Sequence, residues 1–166
     1  TFKIDEGEKK VIKKISFLGN KALDEDDLDE GLGTSTYSWL WSWATGSGVV
    51  KKEVLEQDTR VLQHTYLVKG YADIKVSEPE IKEIEKGLEV VFTVDEGEKY
   101  KFGKIDATGT LLEGGPKETL KEIKSVSGET FNVDLLREDV FKVTDKFTDI
   151  GYAFANVDPL TKIDRE

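Results

Sequence analysis

Two stretches of this chain repeat apolar residues at helical spacing. Val54, Leu55, Val61, Leu62 and Tyr66 fall on one face of a helix predicted over residues 51–69, which Gly70 caps. Leu136, Val140, Val143, Phe147 and Ile150 do the same over 133–150. Other segments alternate with period two. In "VIKKISFLGN" Ile12, Ile15 and Phe17 point inward on a strand that a Gly19-Asn20 turn closes. Strands are also predicted over 71–81 and 88–95, the latter with Leu88, Val90, Phe92 and Val94 inward and "EKG" (85–87) as the turn between them. "LDEDDLDEGL" reads as a short helix, with Asp24, Glu25, Asp26 and Asp27 in the first turn, where the helix dipole favours negative charge. Further on come a strand over 100–107, a helix opening at Pro116 and a strand over 152–158.

The order of these elements repeats. "FKIDEGEK" (Phe2–Lys9) returns as "FTVDEGEK" (Phe92–Lys99), 90 residues later, and "KGYADIKVSEP" (Lys69–Pro79) returns loosely as "IGYAFANVDP" (Ile150–Pro159), about 80 later. The mismatch of about ten is close to the length of "YSWLWSWATGSG" (Tyr37–Gly48), an insertion in the first copy that holds all three tryptophans.

The predicted fold is therefore α+β: two tandem β-α-α-β-β repeats, each a three-stranded mixed sheet with two helices on one face. Chain direction makes the first and third strands parallel and gives the order 2-3-1, with the second strand at a free edge. Residues 1–9 read as the last strand of a preceding repeat, 10–98 as the first full repeat, and 99–166 as a second repeat without its last strand.

Composition narrows the function classes. Thirty-four acidic residues against 24 basic give a net charge of −10, with no basic stripe to hold a nucleic acid. No apolar run approaches the ~20 residues of a membrane-spanning helix. Cysteine is absent, which removes disulfide and thiol chemistry. The acidic run at Asp24–Glu30 lacks calcium-loop spacing, "GSGVVKKE" lacks the pattern of a phosphate loop, and His64 is the single histidine. No carboxylate stands out as desolvated. No catalytic residue, metal site or cofactor is predicted.

The unit β-α-α-β-β, "EGEKYKFGKIDATG" (Glu96–Gly109) joining the copies, Gly19-Asn20 after the opening strand, and the Gly70-Tyr71 and Gly151-Tyr152 steps together resemble the POTRA repeats that precede the barrel in BamA-type outer-membrane assembly proteins. The tryptophan segment looks like a loop of the family's third repeat, so the pair resembles the third and fourth. Gly109 departs from the pattern in not being followed by Asn. The resemblance implies a periplasmic scaffold in a Gram-negative type of bacterium. It would receive unfolded outer-membrane protein precursors, dock accessory lipoproteins and be followed by a C-terminal membrane barrel.

Within that frame the expected binding edge is Tyr71, Ala72, Asp73, Ile74, Lys75 and Val76, open to β-augmentation. The alternative is that Asp73 and Lys75 guard that edge against pairing. Trp39, Trp41 and Trp43 have three readings: packing against the repeats, a partner hot spot, or a membrane-surface contact. The N-terminal segment of one fragment could fill the gap in another by strand exchange. Competing identities are repeats attached to a secretion or import barrel, and a spacer that binds nothing.

Overall fold

A computed structural model describes residues 10–36 and 49–164. The chain divides into two compact units, Thr1–Tyr66 with Asp73–Glu98 and Leu67–Ala72 with Lys99–Glu166. The tryptophan segment lies outside the described residues.

In the first unit the elements are β1 (Ile12–Leu18), α1 (Glu25–Asp29), α2 (Lys52–Val68, its last two residues grouping with the second unit), β2 (Lys75–Val76), β3 (Glu80–Ile84) and β4 (Gly87–Asp95). β4 is central. It runs parallel to β1, with Ile15 opposite Val90 and Phe17 opposite Phe92, and antiparallel to β2 and β3. Ile12, Phe17, Leu28, Leu55, Leu62, Tyr66, Val90, Phe92 and Val94 are buried, and the Phe17 and Phe92 rings stack at 5.9 Å. In a regular strand Ile12 and Ile15 would face opposite ways. An irregularity in the β1 ladder between Ile12 and Lys14 brings both toward the interior. Gly19, at φ +89, leaves β1 so close to β4 that a Cβ would stand 2.2 Å from the Val94 carbonyl oxygen, so only glycine fits this turn.

The core contains an acid that the apolar pattern does not announce. Asp58, fully buried on α2, accepts from the backbone N–H of Gly33 at 2.6 Å and of Thr34 at 2.8 Å. The second unit repeats the device. Asp139 on its long helix accepts from the N–H groups of Lys124 at 2.7 Å and Ser125 at 2.8 Å. Each aspartate is the seventh residue of its helix. The clamp spans 24 residues in the first unit and 14 in the second, so the ten additional residues fall between Thr34 and Lys52. A second tie closes the first unit: Glu96, just past β4, accepts from the N–H of Lys21 and Ala22 and from the Tyr66 hydroxyl at 2.8–2.9 Å.

The second unit has α3 (Pro116–Thr119) and α4 (Val133–Asp149), the latter capped by Asn132, whose side chain accepts from Asp134 and Leu135 N–H. The strands predicted over 100–107 and 152–158 do not form: the described residues there hold one isolated bridge, Lys101 with Thr130. Among the described residues of the first unit, β1 and the β2–β3 arm pair only with β4. The described residues of the second unit hold no strand in that place, so the flanking segments have no ladder to join. Ile150, predicted inward, is instead the C-cap of α4 and 60% exposed, and Phe154 is 99% exposed.

Partial burial pushes the Glu96 carboxyl up, but the Ala22 N–H, the Tyr66 hydroxyl and the Lys21 N–H outweigh it and hold the group below its ordinary value. Burial likewise opposes, and donors from Lys124 and Ser125 overcome, at Asp139. These contributions are complete above the unfolded-state values of about 4 and are lost as pH falls through the lower folded-state values. The urea midpoint should hold from pH 8 to 5 and drop below about 4, with a shallower drop in Glu96→Gln; an unchanged acid limb in that variant would refute the role. Asp58→Ala, which strands the buried Thr34 N–H and removes the acceptor of the Gly33 N–H, should cost about 1–3 kcal/mol in denaturant titrations. A loss under about 1 kcal/mol would show that other groups satisfy them.

Candidate partner-binding edge

The segment expected to form one edge strand is divided. Tyr71–Ile74 is not strand: Ala72 and Asp73 turn, and Lys99 Nζ lies 5.9 Å from the centre of the Tyr71 ring. The ladder starts at Lys75 because its partner ends there. Lys75 faces Asp95, the last residue of β4, and the chain beyond turns through Gly97 at φ +64. Of the six expected edge residues, only Lys75 and Val76 are in a strand.

The rim then continues past the expected stretch. Val76 faces Val94, whereas Glu80 faces Val91, so one extra residue is absorbed across Ser77–Pro79 before β3 resumes pairing as far as Ile84 opposite Gly87. The tight turn at Glu85-Lys86 signals this extension, since a two-residue loop requires paired residues on both sides of it.

Hydrogen-bond parity follows from that turn. Ile84 and Gly87 flank a two-residue loop and must be a hydrogen-bonded pair, so Ile84, Lys82 and Glu80 direct their backbone groups at β4. Ile81 and Glu83 direct theirs away. Among the described residues no strand pairs with this outer rim. All five β3 side chains are exposed, Ile81 at 48% and Ile84 at 36%.

Glu89 braces the central strand behind that rim. Its carboxylate accepts from Lys14 Nζ at 2.8 Å and Ser16 Oγ at 2.6 Å on β1, and it stands opposite Lys82 on β3. The Lys14 bond foremost, then the Ser16 hydroxyl, hold its carboxyl below the ordinary range. One carboxylate thus ties β1 to β4 on the sheet face that carries Lys14 and Lys82. Among the described residues no set of three or more His, Asp or Glu side chains is placed to hold a metal, and no helix is long and apolar enough to cross a membrane.

Two units in tandem each hold a short helix, a long helix and the same aspartate clamp, and the first is completed by a hairpin whose latter strand is central. The model of the POTRA family, described as a surface antigen variable number repeat, matches residues 10–97 and 100–166. The chain belongs to this family. It is similar to the outer membrane protein assembly factor BamA of Nitratidesulfovibrio vulgaris, 35% identical over 96% of this chain and 20% of that protein. It is also similar to the factor of the same name in Neorickettsia risticii, 28% identical over 94% of this chain and 21% of that one. The chain thus spans about a fifth of the curated relatives it matches. Among solved structures, POTRA3-5 of Haemophilus influenzae BamA matches at a TM-score of 0.71 and 19% identity, covering 97% of this chain and 63% of that one, a likeness of fold.

Lys14→Ala should loosen β1 from β4 and shift the Glu89 carboxyl toward its ordinary value, read by carbon-detected NMR titration; an unmoved titration would rule out the Lys14 bond as its main cause.

Proposed function

We propose that residues 10–98 and 99–166 are two consecutive periplasmic POTRA repeats of an outer-membrane protein assembly factor, that residues 1–9 end a preceding repeat, and that a membrane barrel follows. The family match and the BamA relatives support this reading. The repeats work as a scaffold, with no chemistry of their own, receiving unfolded β-barrel precursors and docking accessory lipoproteins.

The observation that carries the mechanism is the outer rim of β3, with which no strand among the described residues pairs. A visiting strand would meet the N–H and C=O of Ile81 and of Glu83 and the C=O of Pro79. Those groups offer up to about five hydrogen bonds of ~0.5–1.5 kcal/mol each. Ordering an unfolded segment offsets much of this gain, leaving weak binding with little sequence preference. Such binding suits a receptor that must release varied clients. Lys75 and Val76 extend the rim, while Tyr71–Ile74 contribute no ladder groups to it. In this reading Trp39, Trp41 and Trp43 would serve as a hot spot for an accessory subunit, which is supported by the second unit making the same aspartate clamp without the additional residues.

Ile81→Pro tests the rim. It removes an N–H that faces away from β4 and so leaves the β3–β4 ladder intact. Cross-linking of the full-length protein to an unfolded barrel precursor should fall about tenfold while the circular dichroism spectrum stays the same. Undiminished cross-linking would favour the spacer reading.

A further inference from the structure

The sequence of β3 is complementary to itself. A second copy related by a two-fold axis normal to the sheet pairs antiparallel with the first, and such an axis keeps each side chain on its own face of the sheet. Residues that face each other must therefore have the same parity. With the axis at Ile81, the outward-facing N–H and C=O groups of Ile81 meet those of Ile81 in the second copy. Glu83 N–H reaches the Pro79 carbonyl of the second copy, and the reverse, giving four main-chain hydrogen bonds. Pro79, which has no N–H, ends the ladder on each side.

In that register Lys82 stands opposite Glu80 of the second copy, and Glu80 opposite its Lys82. These are the closely spaced, non-hydrogen-bonded positions, where cross-strand charge pairs interact most strongly. Lys82 and Glu80 already pair within one strand at 3.2 Å, so both ends of the ion pair stand ready on one face. The two Ile81 side chains, each 48% exposed in the single chain, would cover one another on the opposite face. The neighbouring registers are worse: an axis at Lys82 opposes two lysines, and an axis at Glu83 opposes two glutamates.

We propose that the β3 rim pairs with the β3 rim of a second copy of this chain, centred on Ile81, and that this pairing and a client strand exclude each other. Four hydrogen bonds acting against the mutual repulsion of two chains of net charge −10 make the pairing weak and reversible. It would shield the edge between clients instead of locking it. This goes beyond client reception, since its specificity lies in the charges at residues 80 and 82, whereas a client is held through main-chain groups.

Sedimentation velocity of the two-unit chain up to about millimolar concentration tests the pairing, because a contact of this size is expected to be weak. A concentration-dependent monomer–dimer equilibrium is expected. Lys82→Glu and Glu80→Lys should each weaken association about tenfold, since each turns two attractions into two repulsions. The double variant Glu80→Lys/Lys82→Glu, self-complementary once more, should return to within about threefold of the parent. A strict monomer at all concentrations, or a double variant no better than the single ones, would overturn the proposal. Precursor cross-linking to the single variants should stay at parental level, so loss of self-pairing and loss of client reception are read separately.

Discussion

A buried aspartate on the long helix grips two consecutive main-chain N–H groups, and each unit is organised around that grip. A carboxyl group inside a core is tolerated only when its oxygens are filled by donors. Gly33 and Thr34 do this for Asp58, and Lys124 and Ser125 for Asp139. The donors gain as well, because Thr34 and Ser125 are buried beyond the short helix and each would otherwise carry an unmet N–H into the interior. The grip fixes where the chain re-enters the long helix. It leaves free how many residues intervene, and this is why the first unit can carry ten more than the second.

The sheet of the first unit follows a similar logic of shared partners. β4 satisfies β1 on one side and the β2–β3 arm on the other, while Glu89 ties Lys14 and Ser16 to the middle strand. Phe17 and Phe92 fasten the parallel pair from within. Concentrating the pairing in one strand leaves the β3 rim open, so the same arrangement that closes the core also creates the candidate binding surface.

Much of this was legible in the chain. The two long helices announce themselves because five apolar residues recur at 3.6 spacing in each, and Leu88–Val94 alternate as a central strand requires. Asp58 and Asp139 were not legible, because an acid among helical charges reads as solvated until its backbone donors are located. The start of the rim at Lys75 depends on where β4 ends, a property of the partner rather than of Tyr71–Ile74. Residues 100–107 and 152–158 carry strand-like patterns, but pattern alone forms no ladder when the pairing strand is absent from the described residues.

The central strand of the first unit is also the last of its strands in chain order. Ile12 waits for Leu88 and Phe17 for Phe92, so the sheet cannot assemble from local contacts. A chain emerging amino end first through a narrow passage would hold a half-built repeat until its closing segment arrived. The unit then snaps shut in one late, cooperative event, and the interval before it is when a chaperone or protease has access to the chain.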